Sequence, residues 1–237
     1  MAFTEREQAG HRLGIHRTLD GGAQLPQGAS KLDNSLPIYS NEVLISVRRL
    51  NIDAASFVQM EKEFGGDPKV IGDQVLKNCR EYGKQQNPVT GSGGMLLGRV
   101  SQVGSAYRGN FAAKVGQRVA TLVSLTSTPL HLDRVLRVYP ETHQMDVEGH
   151  AILFESGIAA EIPEDLPEIV SLAVLDVAGA PAWCHALAKP GHTVVVFGAG
   201  GKAGLLCSVA AREQVGKSGK VIGIEPNSAA AAQLKSL

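Results

Sequence analysis

The stretch Val194–Gly204 reads VVVFGAGGKAG. An apolar run ends on a glycine-rich turn, the pattern of a buried strand that turns sharply into a helix. The following residues, GKAGLLCSVAAREQVG, have helical spacing and stop at Gly216. A second apolar run, GKVIGIEP, leads into the start of another helix, SAAAAQLKSL. Strand, helix, strand, helix predicts a βαβ unit with parallel strands.

Gly198, Gly200 and Ala203 fit G-x-G-x-x-G/A, with further glycines at Gly201 and Gly204. In this pattern the first glycine makes the tight turn. The second lets the backbone approach a pyrophosphate, and the third small residue lets the helix lie close to the strand. The free N–H groups and positive end of the helix beginning near Gly201 then face the phosphates. Lys202 either supports a phosphate or is simply solvated. Glu225 ends the second strand, where an acid accepts hydrogen bonds from a ribose 2′-hydroxyl and repels a 2′-phosphate. The expected cofactor is NAD rather than NADP, held by Gly198, Gly200, Gly201, Lys202, Ala203 and Glu225.

Upstream the chain changes character at Pro163. Residues 1 to about 40 are rich in Gly, Pro, Gln and Ser and read as mostly irregular. NEVLISVRRLNID (Asn41–Asp53) alternates like a half-buried strand, SFVQMEKEF reads as a helix, and PKVIGDQVLKNCREYG as a second one closed by Gly83. QQNPVTGSGG is a loop by composition. MLLGRVSQVG, VGQRVATLV and AILFESGIAAEIP are short β-rich runs broken by Gly and Pro, as in a small barrel. The expected organisation is a β-rich domain over residues 1–162 and a dinucleotide-binding domain over 163–237, an α/β chain overall.

The 23 basic and 23 acidic residues cancel, so no bulk electrostatic argument favours nucleic acid or a membrane surface. No stretch approaches the roughly 18 apolar residues of a membrane span. The polar N-terminus has no apolar signal segment, and Cys79, Cys184 and Cys207 are few and scattered. A cytoplasmic protein with free thiols is expected, the cysteines serving as packing residues in helices.

A β-rich domain followed by KPGHTVVVFGAGG, with GRVSQVG and KVGQRVA (Gly98–Gly104, Lys114–Ala120) ahead of it, resembles the medium-chain dehydrogenase/reductase superfamily. The resemblance implies a GroES-like catalytic domain followed by a Rossmann domain. Many members hold a catalytic zinc through a Cys, a Gly-His-Glu turn and a further Cys or acid. The matching positions here read NIDAASF, with Asp53, Ala54 and Ser56; TGSGGML, with Gly93, Gly94 and Met95; and LAVLDVAGAP, with Asp176. Glycine and methionine cannot supply a zinc ligand set, so no metal is expected.

Those departures, with LPQGASKLDNSLPIYSNEVLI, QQNPVTGSGGMLLG, ATLVSLTSTPL and AILFESGI, resemble the zinc-less diaminohexanoate dehydrogenase family of lysine fermentation. That resemblance implies an oxidoreductase carrying out NAD-dependent oxidative deamination of a small diamino acid, with no metal, nucleic acid or membrane partner. It also implies a homo-oligomer at full length. In the matching loops Asp53, Glu155 and Asp176 are candidate acids, and Ser56 and Thr90 candidate hydroxyls to position water. Each acid could equally be a cap or a surface ion pair. Arg48, Arg49 and Arg80 are candidates for the substrate carboxylate, though solvated charge is the plainer reading of each. A zinc-independent quinone or enoyl reductase of the superfamily, or a non-catalytic dinucleotide-binding protein, remain as alternatives. A complete Rossmann domain needs two βαβαβ halves. The expectation is therefore that its sheet is incomplete in this chain, which leaves one sheet edge exposed and turnover slight.

Overall fold

The structure, a computed structural model, describes residues 4–22 and 24–235. The chain forms two compact units, Met1–Leu172 and Ala173–Leu237.

The first unit is built on a six-stranded antiparallel sheet of order β4-β5-β1-β2-β3-β6. Its strands are β1 (Val43–Ile52), β2 (Gly94–Val103), β3 (Arg118–Thr121), β4 (Leu130–Tyr139), β5 (Gln144–Leu153) and β6 (Ala159–Glu161). Between β1 and β2 lie α1 (Ala54–Glu63) and α2 (Pro68–Tyr82). Asp53 and Asp67 cap them by accepting the N–H groups of Ala55 and Lys69. Gly83 ends α2 at φ 67°, a left-handed conformation that glycine adopts without strain. The sheet curls around a core of Val43, Ile45, Val47, Leu50, Ile52 and Leu96, closed on the helix side by Phe57, Val75 and the fully buried Cys79.

β1 carries a bulge at Arg48, because Val47 pairs with Gly98 and Arg49 with the next residue back, Leu97. The inward positions therefore change from odd (Val43, Ile45, Val47) to even (Leu50, Ile52) across it. Such bulges sharpen the bend that lets a sheet curl.

The segment before β1 holds no helix beyond the short 3-10 turn Ile15–Arg17, among the described residues. It is nonetheless fixed. Arg17, 0% exposed, makes a bidentate pair with Glu42, 1% exposed, through Nε at 2.7 Å and Nη2 at 2.7 Å. Its Nη1 donates to the carbonyls of Asp33 and Ser35. The buried Lys84 ammonium reaches the carbonyls of Pro26 and Gln27 at 3.1 and 3.2 Å.

The second unit holds the end of α3 (Glu168–Leu175), then α4 (Gly179–Leu187), β7 (Thr193–Phe197), α5 (Lys202–Val215), β8 (Lys220–Ile224) and α6 (Ser228–Lys235). β7 and β8 pair in parallel, as the βαβ pattern predicts. Ser236 and Leu237 of the expected last helix lie outside the described residues, as do Met1–Phe3 of the polar N-terminus. Val195 pairs with Ile222 and Phe197 with Ile224, so one apolar face carries all four side chains, Phe197 being 78% exposed. The units divide later than the compositional change at Pro163. Ahead of the division, Glu168 pairs with Arg48 at 3.0 Å and the Ile169 carbonyl accepts from Gln144 at 3.1 Å. Among the described residues no single helix is long and apolar enough to cross a membrane.

Candidate functional site

β1 delivers its last residues to the start of α1. Asp53 follows the strand and caps the helix, with Oδ1 accepting from Ala55 at 3.0 Å. Three residues into α1, Ser56 is fully buried. Its Oγ meets Thr90 Oγ1 at 2.6 Å and Ser92 Oγ at 2.5 Å, while Thr90 Oγ1 and Ser92 Oγ are 3.2 Å apart. Of the expected residues, Ser56 and Thr90 are thus brought together, and Asp53 lies three residues before Ser56 with its N–H on the Gly93 carbonyl at 3.4 Å.

Ser92 and Asn87 belong to the same cluster and escaped the sequence reading. Asn87 Oδ1 accepts the N–H groups of Val89 and Thr90 at 2.8 and 3.1 Å. Its Nδ2 donates to Gln59 Oε1 at 2.8 Å and to the Ser56 carbonyl at 3.4 Å. One amide therefore folds the loop and ties it to α1. The Asn-Pro dipeptide at 87–88 was the available signal, since Asn before Pro initiates turns.

The turn after Ser92 explains why no metal ligand stands there. Gly94 has φ 118°, and a Cβ on it would lie 1.9 Å from the Asn51 carbonyl oxygen. Gly93 is equally hemmed, with the Gln85 carbonyl and the Thr126 amide each 2.8 Å from its Cβ position. Histidine fits neither position without moving backbone. Among the described residues, no group of three or more His, Cys, Asp or Glu side chains comes together as a metal site.

Glu155 is not part of this cluster. Leu153 pairs with Val43, at the opposite end of β1 from Asp53. Ten residues of strand put the two ends roughly 30 Å apart at about 3.3 Å per residue. There Glu155 accepts from Asn41 Nδ2 at 3.1 Å, and Asn41 in turn bonds Gly10 in both directions, at 2.7 and 2.9 Å. Its contacts anchor the N-terminal segment. The three arginines are also accounted for without a substrate. Arg48 pairs with Glu168, Arg49 pairs with Asp146 at 2.7 Å, and Arg80 is exposed on α2. Burial works against the Asp146 carboxylate, but the bonds from Arg49 and Tyr139 outweigh it and hold its pKa below the ordinary value.

In the second unit the glycine turn has the geometry its sequence predicts, with one addition. Gly198 takes φ 70°. Gly200 is required by proximity, since its Cβ would meet Ala230 Cβ at 2.6 Å. Gly204, next to Ala203, also brings helix against turn, because a Cβ on it would sit 2.1 Å from the Gly198 carbonyl oxygen. The spacing Gly198, Gly201, Gly204 in the sequence carried that signal. α5 starts from Gly201, which has no side chain to cap the first N–H groups, so they are open to an anion.

Glu225 lies against this turn. Its Oε2 accepts from the Gly200 N–H at 3.0 Å and its Oε1 from the Asn227 N–H at 2.9 Å. Lys202 Nζ is 3.8 Å from Asp176 Oδ2. Asp176 sits in the turn between α3 and α4 rather than within a helix as the spacing predicted, because α3 ends at Leu175. The thiols of Cys184 and Cys207 face each other from α4 and α5 within hydrogen-bonding reach. Burial and that neighbour push the Cys207 pKa up.

This geometry can be set beside known proteins. Residues 16–163 match the model of the L-erythro-3,5-diaminohexanoate dehydrogenase N-terminal domain. The chain belongs to that family. A relative from Acetoanaerobium sticklandii with the name L-erythro-3,5-diaminohexanoate dehydrogenase is 47% identical over 225 residues. The match covers 95% of this chain and 65% of that protein. A relative of the same name from Fusobacterium nucleatum is 48% identical over 218 residues, covering 92% of this chain and 63% of that one. The chain thus spans just under two thirds of the length of both. Among solved structures, a quinone oxidoreductase of Pseudomonas syringae pv. Tomato is similar at TM-score 0.50 and 18% identity. It covers 86% of this chain and 50% of its own. That likeness shows the fold alone, an α/β chain with a GroES-like domain ahead of a Rossmann-type unit.

Proposed function

We propose that the protein, at its full encoded length, is an oxidoreductase that oxidises and deaminates L-erythro-3,5-diaminohexanoate with NAD, giving 5-amino-3-oxohexanoate and ammonia in the cytoplasm. The observation that carries this reading is the 47% identity to a relative bearing that enzyme's name, sustained over 95% of the chain and so through both compact units.

The glycine turn fits a dinucleotide. A Cβ at Gly200 or Gly204 would collide with its surroundings, and the first N–H groups of α5 are uncapped. When bound, NAD supplies the acceptor for the C3 hydride. The Gly200–Gly204 backbone would hold the pyrophosphate, with Lys202 beside it. A carboxylate has lone pairs for about four hydrogen bonds. Glu225 uses two on Gly200 and Asn227 and keeps capacity for a ribose diol, while its charge disfavours a 2′-phosphate. This supports NAD over NADP.

The reacting amine must be neutral before hydride leaves its carbon, so a base has to take a proton. Of the candidate acids in its unit, Asp53 caps α1 three residues before Ser56, while Glu155 stands at the far end of β1. Asp176, in the second unit and 3.8 Å from Lys202, is the remaining candidate acid. A homo-oligomer is part of the reading through the family resemblance.

The test follows the absorbance of reduced nicotinamide when the full-length protein receives NAD, the diamino acid and a metal chelator. Reduction that survives chelation is expected. Absence of reduction by a protein that binds NAD would overturn the substrate assignment.

A further inference from the structure

We propose that the hydroxyls of Ser56, Thr90 and Ser92 form a proton relay serving the hydrolysis half of the reaction, an inference that rests on the deaminating reading above. Ser56 Oγ lies within hydrogen-bond distance of both other oxygens, 2.6 Å from Thr90 and 2.5 Å from Ser92. A hydroxyl has one proton to give. Ser56 is fully buried, and these two oxygens are the acceptors within reach of its proton; donating to one, it keeps lone pairs to accept from the other, and the chain has a direction. The neighbour that accepts from Ser56 keeps its own proton for the longer 3.2 Å edge or for an outside acceptor. The neighbour that donates to Ser56 keeps a lone pair for an outside donor. This holds even for Thr90, whose Oγ1 also accepts the Ser92 N–H at 3.3 Å.

The cluster therefore presents one donor and one acceptor outward, and turning the three hydroxyls exchanges them. A proton can enter at one end while another leaves at the other, and no side chain is left charged. The inner member is fully buried, whereas Ser92 is half-buried and Thr90 exposed, so the open ends are the two the count requires. The loop is held for this arrangement by Asn87 and by the Asp53 N–H on the Gly93 carbonyl at 3.4 Å.

Hydrolysis of an imine needs such a device. Water oxygen bonds to C3 as the C3–nitrogen π pair moves onto nitrogen. One proton leaves that oxygen and one arrives at nitrogen. The remaining O–H proton then passes by the same route to nitrogen as the C3–nitrogen bond breaks with its electron pair, so that ammonia departs and the carbonyl is left. The sum is imine plus water to ketone plus ammonia, with no change in oxidation state. A direct shift between oxygen and nitrogen on one carbon passes through a strained four-membered ring. Thr90 Oγ1 and Ser92 Oγ, 3.2 Å apart, can each face one of the two atoms and carry the proton around through Ser56. Ser56 acts through its neighbours and is a positioning residue in this scheme. Thr90 and Ser92 meet the reacting atoms.

Stopped-flow measurement of reduced nicotinamide in the full-length protein tests this, because hydride transfer precedes hydrolysis. Ser56→Ala should give a burst of about one reduced nicotinamide per site, then a steady rate roughly 10–100-fold below that of the unaltered protein. Ser56→Thr should restore the steady rate. Ser92→Ala, at a half-buried position with little cost to folding, should show the same burst. A merely structural role predicts equal loss of burst and steady rate, and that outcome, or an unchanged steady rate in both alanine variants, overturns the relay. If the unaltered protein forms no reduced nicotinamide at all, the deaminating reading itself fails.

Discussion

The two ends of β1 are made of different materials. At Val43 the strand meets a buried ion pair, Arg17 on Glu42, with Asn41 and Glu155 beside it. At Ile52 it meets uncharged hydroxyls, an amide and bare glycine backbone, with Asp53 as the one acid. The charged end stabilises, because each charge is fully hydrogen-bonded and removing either partner strands the other in a dry interior. The hydroxyl end contributes less to stability, and its protons remain free to change partners. Charge at one end fixes the N-terminal segment, and neutrality at the other leaves the chemistry reversible.

The sharpest way to break this contrast is Glu42→Ala. It should cost about 3–5 kcal/mol in denaturant unfolding, against about 1 kcal/mol for Ser56→Ala. Equal costs would mean that the two ends do not differ in kind. Gly94→Ala comes next, at about 1–3 kcal/mol, because a side chain at φ 118° is strained and its Cβ has no room beneath Asn51. A loss under half a kcal/mol would show that the turn yields.

Acid should act mainly through the charged end. Burial pushes the Glu42 carboxyl up, but bonds from His16 and Arg17, the Arg17 charge and the Tyr39 N–H together leave it below its ordinary 4.5. Its stabilisation is therefore present above that pH and lost as pH falls through the lowered folded value. Unfolding midpoints measured down the acid range should show Glu42→Gln flattening this limb. Some slope should remain, since Asp33 and Asp146 are lowered too. A limb unchanged by Glu42→Gln would place the acid sensitivity elsewhere. The smallest effect separates two roles of one residue. Asp53→Ala should cost about 1 kcal/mol through loss of the cap, and Asp53→Asn almost nothing, since Asn caps as well. If Asp53 is the base, both variants lose turnover, by about 10²–10⁴-fold. Full activity in Asp53→Asn would leave the acid as a cap alone.

Much of this molecule was legible in its sequence where a local pattern and a local cause coincide. β1, α1, α2 and the glycine turn all follow from periodicity with a cap or a glycine at the boundary. β4 and the start of β5 escaped notice because their outer faces carry His131, Asp133, Arg134, Arg137, Asp146 and Glu148, which dilute the apolar alternation. In the candidate site, Asp53 and Ser56 are legible as candidates because they adjoin a strand end. Ser92 was not, since its role depends on a 2.5 Å contact with a residue distant in the chain. Glu155 shows the converse. It sits in a loop that looked equivalent to the others, and only strand direction reveals that it lies at the opposite end of β1 from Asp53.

The bulge at Arg48 also fixes how this strand responds to changes in length. Core positions run odd before it and even after it, so the alternation slips phase by one residue there. Deleting Arg48 would join the two halves in a single unbroken phase against β2, but it would lengthen the bulge on β5, which already has an extra residue between the partners of Val47 and Arg49. Deleting a residue between Ser46 and the start of the strand, or between Leu50 and its end, would turn the residues beyond the cut inside out. For β1, loss of one residue at the bulge keeps the inward phase and strains only the pairing with β5, whereas loss on either side of it inverts the phase.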